Sequence, residues 1–271
     1  MTNPLPECDR PPLDEMAMGV QFDPLPKFHA VHLGLFWSRI REEYPHAEDQ
    51  GLLSPATEPL DIQPSTAPAA TAVAVTVPPL PRCWFLTNDK TQLIQVQRDR
   101  FLRNWRQLQG DERYPRYGHL AQEFKRAWER FQEFIAEQEL GPVNVNQCEL
   151  HYINNIERAA GWSELGELDG VFPLLSNRNP GGFLPAPETL AWQVRYKLPD
   201  GRGRLHVEMN PIFRGRDMQL VLALNMTARG VPAAGSIEKI TAWFDLAHEW
   251  TVRAFAELTG PRAHEFWGMK S

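Results

Sequence analysis

Three groups of side chains in this sequence could do chemistry, and each depends on the strand or helix that carries it. Gln147, Glu149 and His151 alternate along one segment, so an acid and a base would share a strand face, the minimum for general acid–base work. Asp245, His248 and Glu249 lie within one turn of a C-terminal helix; as metal ligands they would need further partners. Arg195 and Lys197 face Arg204 and His206 if the segments flanking Asp200-Gly201 form a hairpin. Like charges directly opposite are destabilising, so these two rungs imply neighbouring acids or an anionic ligand or partner. The plainer readings are a hydrogen-bonded sheet surface, a solvated helix face, and a cationic face neutralised by Glu208 and nearby loops.

A fourth group is suited to nucleic acid. Arg98, Arg100, Arg103, Trp105, Arg106, Arg113 and Arg116 interleave with Phe101, Tyr114 and Tyr117, and single strands are held by guanidinium–phosphate contacts with bases stacked on rings. The formal charge of −6 opposes a general nucleic-acid field, and the bland alternative is aromatic core with arginines paired to the acid excess. Ser176 to Gly182 could form an anion nest, although no helix clearly follows it. His29 and His32 sit on or beside an apolar helical stripe and read as packed. P-loop, dinucleotide, zinc-protease, nucleophile-elbow and Cys-x-x-Cys motifs are absent, which lowers the prior for an enzyme.

The elements that must position these groups follow from periodicity. With 42% apolar residues in 271, including nine Trp and fourteen Phe, there is material for one large core. A strand over Met16–Phe22 precedes a helix with a stripe of Phe28, Val31, His32, Leu35, Phe36 and Ile40. From about 47 to 81 the chain turns Pro-, Ala- and Thr-rich without Lys or Arg, which predicts an irregular insertion; within it 71–77 could add an edge strand. Arg82–Leu86 and Leu93–Phe101 read as a hairpin turning at Asn88-Asp89-Lys90. Tyr117–Leu140 reads as a helix burying Leu120, Phe124, Ala127, Trp128, Phe131, Phe134 and Ile135, and Val143–Ile153 as a strand; 157–189 is loop-like.

The C-terminal third predicts a three-stranded meander. Trp192, Val194 and Tyr196 oppose Met209, Val207 and Leu205, and a turn at Arg214–Asp217 sets Leu205, Val207 and Met209 near Met226, Leu224 and Leu222. A helix over Ile237–Leu258 covers its apolar side, with Ser236 as N-cap. The expected fold is one α+β domain, an antiparallel sheet of about six to eight strands packed against three main helices, the last one C-terminal. The absence of regular strand–helix alternation disfavours a Rossmann-like sheet.

Cys8, Cys83 and Cys148 have no metal-finger spacing and no even count for a disulfide framework, so Cys83 and Cys148 read as buried reduced thiols. The first residues lack a secretory pattern, and the run from Met218 to Met226 is too short to span a bilayer, so the expected compartment is the cytoplasm, without a membrane.

Several stretches carry a resemblance: Pro11–Leu25, Gly34–Pro45, Leu93–Arg106, Tyr114–Tyr117, Asn146–Asn154 and Phe244–Glu249. Together they resemble a sporadically distributed family of uncharacterised bacterial proteins of about this length. The resemblance covers nearly the whole chain and implies a bacterial cytosolic protein with an accessory or defence role. It implies no activity and no catalytic residues.

The leading expectation is a non-enzymatic binding or regulatory protein, without cofactor or metal. It would act through a protein partner or a small anionic ligand at Arg195, Lys197, Arg204 and His206. The alternatives are a single-stranded nucleic-acid or nucleotide binder using 98–117, and an enzyme using Glu149 and His151. A sheet gripping a long helix could also enclose a small apolar ligand.

Overall fold

The computed structural model describes residues 4–58, 80–175 and 183–270. In chain order the elements are β1 (Glu7–Cys8), β2 (Leu13–Phe22), α1 (Ala30–Ile40), β3 (His46–Gln50), β4 (Arg82–Leu86), β5 (Gln92–Gln97), β6 (Arg100–Arg106), α2 (Tyr117–Glu137), β7 (Val145–Ile156), β8 (Trp192–Lys197), β9 (Arg204–Phe213), β10 (Leu220–Gly230), α3 (Ile237–Leu258), α4 (Pro261–Trp267) and β11 (Met269–Lys270). Among the described residues nine strands form one antiparallel sheet in the order β3-β4-β5-β6-β2-β7-β10-β9-β8, while β1 and β11 pair separately. The α+β class and the long helix near the C-terminal end agree with the sequence reading; the sheet has more strands than expected and α4 is an additional short helix.

One face of the sheet meets the helices because alternate strand residues are apolar there. Phe22 and Phe101 of the sheet pack on Trp128 and Phe131 of α2, Phe85 meets Phe36 of α1, and Phe124 of α2 meets Phe244 of α3. The α2 stripe is the one read from the sequence. In α1 the buried edge is rotated: Leu33 is 4% exposed, while Val31 and Leu35 are 63% and 43% exposed. A strict three-and-four spacing fits more than one face of so short a helix, and packing against α2 selects the one with Leu33.

Three further expectations change. Leu93–Phe101 is not one strand, because Arg98-Asp99 turns the chain from β5 into β6. Part of the predicted irregular insertion is regular: β3 pairs with β4 at the sheet edge, with Asp49 accepting from the Cys83 thiol at 3.4 Å. The 71–77 segment and the 176–182 nest lie outside the described residues.

The meander forms with β8 and β9 in the expected register. Between β9 and β10 the register is displaced by two residues: Val207 pairs with Met226, Met209 with Leu224 and Leu205 with Ala228. The turn is the cause, since Arg214–Gln219 closes on a longer loop than Arg214–Asp217, with Met218 at φ 56°. A two-residue shift preserves the face of every side chain, so Leu205, Val207 and Met209 remain fully buried. Gly203, at φ 142°, is required here, because a Cβ would lie 2.1 Å from the Arg229 carbonyl oxygen.

Among the described residues no helix is long and apolar enough to cross a membrane. The aromatic cluster makes a direct test of the core. Phe131 touches the rings of Phe22, Phe28, Phe36, Phe101 and Trp128. Phe131→Ala is expected to lower stability to urea by about 3–5 kcal/mol. Val31→Ala, on the exposed side of α1, should change it by less than about 0.5 kcal/mol.

Candidate functional site

The other face of the sheet is polar, and its side chains fall in rows because antiparallel partners stand side by side. The first row runs Gln97, Arg100, Gln21, Gln147 across β5, β6, β2 and β7. The next runs Gly19, Glu149, Arg229, Arg204, Lys197 from β2 to β8. A third runs Ala17, His151, Thr227, His206, Arg195 over the same strands. The Lys197–Arg204 and Arg195–His206 rungs therefore exist as drawn from the sequence, and Arg229–Arg204 adds a like-charge rung that the sequence reading missed.

Glu149 is the acid inside this layer. It is 1% exposed, 3.5 Å from Arg100 Nη1, 3.7 Å from Arg229 Nε and 3.2 Å from His151 Nε2, while His151 Nδ1 meets Thr227 Oγ1 at 3.0 Å. Burial alone would raise its carboxyl. The hydrogen bond to His151 and the charges of His151, Arg100 and Arg229 outweigh it and hold the group at about 2. Gly19 lets this happen, because a Cβ there would meet Leu102 at 2.9 Å and Glu149 at 3.1 Å. A carboxyl so held is a weak base and carries no proton near neutrality, and Glu149 lines none of the cavities described below, so the Glu149–His151 pair is poorly placed for acid–base work.

The acid for Arg204 and His206 comes from the stretch read as irregular. Glu58, 7% exposed, takes Arg204 Nη1 on Oε1 at 2.6 Å and His206 Nε2 on Oε2 at 2.7 Å. Its carboxyl is pulled below the usual range: burial opposes this, but the two hydrogen bonds and two charges prevail. Glu208, the acid expected to neutralise the face, instead accepts from Gln193. Arg195 and Lys197 stay exposed at the rim on β8.

Residues 51–58 reach this position by crossing the strands along the first row. The Gln97 side chain accepts from the Leu53 N–H at 3.0 Å and donates to its carbonyl at 2.9 Å. Gln21 does the same for Ala56, at 3.2 and 2.9 Å. Gln147 accepts from the Glu58 N–H at 2.8 Å and donates to the Ala56 carbonyl, and Arg100 donates to the Ser54 carbonyl at 3.2 Å. The signal for this in the sequence was a set of glutamines on the polar phase of the strands, with Glu58 among the four acids of a tract devoid of Lys and Arg.

The remaining candidates separate. Of the arginines at 98–116, Arg98 caps the Leu25 and Pro26 carbonyls, Arg103 is buried on Gln92 and Glu123, Arg106 lies over Trp84, and Arg116 donates to the Cys8 carbonyl. Trp105 packs on Tyr114. With Arg100 in the first row, these side chains are distributed over both sheet faces and do not make one surface. His29 and His32 cap α1, with the His29 N–H donating to His32 Nδ1. Asp245, His248 and Glu249 diverge: Asp245 accepts from Tyr117, Glu249 pairs with Arg253, and His248 meets Tyr152. Among the described residues no group of three or more His, Cys, Asp or Glu could hold a metal ion.

His248 instead belongs to a cavity of about 350 Å³ between β7 and α3, lined by Leu13, Arg116, Tyr117, Tyr152, Val252 and Phe255 among others. Its ring stacks on Tyr117 at 3.9 Å, and burial depresses its pKa to about 4, so it is neutral at physiological pH. Arg116 sits at the mouth with φ 73°, a costly backbone for arginine. An adjoining cleft of about 600 Å³ is lined by Asp14, Asn155, Glu157, Arg214 and Arg216, whose charges pair with one another.

No protein-family model, curated protein or solved structure matches this chain.

The Glu149 cage has a pH signature. A carboxyl held at about 2, against its ordinary 4.5, stabilises the fold fully above pH 4.5 and loses that contribution as pH falls towards 2. Glu149→Gln is expected to cost about 3 kcal/mol at pH 7, by leaving the buried Arg100 and the half-buried Arg229 without their counter-charge. In acid titrations followed by circular dichroism, the variant should show a shallower loss of stability between pH 4.5 and 2 than the parent.

Proposed function

We propose that this chain is a non-enzymatic binding protein of the bacterial cytoplasm that recognises a carboxylate-bearing protein partner on the polar face of its sheet, through Arg204 and His206 with Arg195 and Lys197 at the rim. One observation carries this reading: the β9 member of each cationic rung, Arg204 and His206, converges on one acid and holds the Glu58 carboxylate at 2.6 and 2.7 Å. Charge-assisted bonds of this kind are about twice as strong as neutral ones and suit a carboxylate. The unpaired thiols Cys83 and Cys148 suit a reducing compartment, and the accessory or defence setting follows from the resemblance alone.

The test uses the exposed rim, whose replacement leaves the core untouched. A short fluorescent poly-glutamate peptide should bind the Glu58→Gln chain, weaken with added salt, and lose about tenfold in affinity with Arg195→Glu and Lys197→Glu together. Equal binding by the rim variant, or none by Glu58→Gln, would remove the reading.

The neutral His248 ring stacked on Tyr117 favours a second reading, a small apolar ligand in the cavity between β7 and α3, whose size lies within the range of small-molecule sites. Native mass spectrometry of freshly purified protein should show a retained small molecule that Val252→Trp, by filling the cavity, excludes. Each protein appearing only at the mass of its own bare chain would count against it.

A further inference from the structure

Resting on the carboxylate reading above, the geometry points to a more specific occupant: we infer that the polar face is a groove for an extended peptide segment of a partner protein, ending in an acidic side chain, and that residues 51–58 fill it in cis.

The grounds are the way this segment is held. It crosses β5, β6, β2 and β7 instead of running alongside them, so it joins no ladder, and among the described residues none of its backbone groups bonds to another backbone group. Its main chain is read by side chains. Gln97 and Gln21 each present both amide atoms to one residue, taking its N–H and its carbonyl together, and Gln147 spans the Ala56 carbonyl and the Glu58 N–H. This arrangement recognises extended backbone of any sequence, because it touches only groups that every non-proline residue carries.

Side-chain selection enters at one point. Gly51, Leu52, Ser54, Pro55 and Thr57 face solvent, Leu53 and Ala56 are half-buried, and Glu58 alone is buried, on Arg204 and His206. The ligand class is therefore an extended segment with glutamate two residues beyond a small residue, and the rim cations Arg195 and Lys197 favour further acids in the partner. The three glutamines stand in one register row across β5, β2 and β7, so their spacing is set by the strands and not by the segment lying on them.

The experiment separates this inference from the carboxylate reading. The probe is the acetylated and amidated peptide Gly-Leu-Leu-Ser-Pro-Ala-Thr-Glu, the sequence of 51–58, whose only charge is the glutamate side chain. It is titrated by fluorescence into the full chain and into Ala56→Pro/Glu58→Ala, which removes the Ala56 N–H and the acid and so vacates the groove. The double variant should bind at least tenfold more tightly than the parent, and hydrogen exchange of the parent should show its 51–58 stretch losing protection at high peptide concentration. A second probe, methylated on the nitrogens matching Leu53 and Ala56, should bind at least tenfold more weakly, as should the first probe to a chain also carrying Gln21→Leu and Gln147→Leu. Equal binding of the methylated and unmodified peptides would overturn the backbone groove and leave carboxylate recognition standing. Equal binding of a peptide with glutamine in place of glutamate would sink the carboxylate reading while leaving the groove. No binding of any probe by a double variant that retains the parent's circular dichroism would overturn both.

Discussion

Three cations standing on adjacent strands at the end of one row, Arg229, Arg204 and Lys197, set the problem that the polar half of this protein solves. Cross-strand like charges repel, and the cost rises as water is withdrawn. Two carboxylates divide the task. Glu149 answers Arg229 and Arg100 from within the sheet, and Glu58 answers Arg204 from outside it. The inner acid is fixed by its strand, whereas the outer one arrives on a segment without regular structure. That difference is why one pair reads as architecture and the other as an occupied site.

The helix face was legible in the sequence because the same alternation that buries Leu205, Val207 and Met209 also fixes what opposes them. The α2 stripe was equally plain, since a helix of that length repeats its pattern several times and only one face satisfies it. The errors fell where period is uninformative. In α1 the stripe admits a rotation that moves burial from Val31 and Leu35 to Leu33. In the meander a two-residue shift of β10 leaves every residue on its own face, so the pattern alone does not choose between the frames. The turn from β5 into β6 at Arg98-Asp99 is marked only by a lapse in alternation, four polar residues from Gln97 to Arg100, with no Gly or Pro to punctuate it.

The polar face was half legible for a different reason. The alternation identified Arg195, Lys197, Arg204, His206, Glu149 and His151 as facing away from the helices, and the cationic excess implied a missing acid. It did not locate that acid, because Glu58 is far from β9 in sequence and lies in a tract whose composition predicts irregularity. Irregular backbone and well-placed side chain are compatible: long-range hydrogen bonds from Gln97, Gln21 and Gln147 substitute for a ladder, and no local pattern encodes them. The same holds for His248, which the sequence put on a helix face with two acids and the structure puts against Tyr117 and Tyr152 under burial.

The balance of forces on residues 53–58 explains why an acid and not the glutamines decides occupancy. Ordering each backbone residue costs about 1–2 kcal/mol. Each neutral hydrogen bond, made in exchange for one to water, contributes about 1 kcal/mol. The six amide bonds of Gln97, Gln21 and Gln147 therefore match the cost of ordering residues 53–58 at best, and fall short of it at the upper end of that range. Hydrogen bonds to charged groups contribute about 1.5–3 kcal/mol each, and Glu58 makes two of them in a site from which water is largely excluded. The carboxylate thus supplies what the amide bonds lack, and neutralising it is expected to release the segment while the amide row remains in place on its strands. A hydrophobic plug would have sealed this face more firmly. The polar one holds its occupant through hydrogen bonds alone, each of which water can replace.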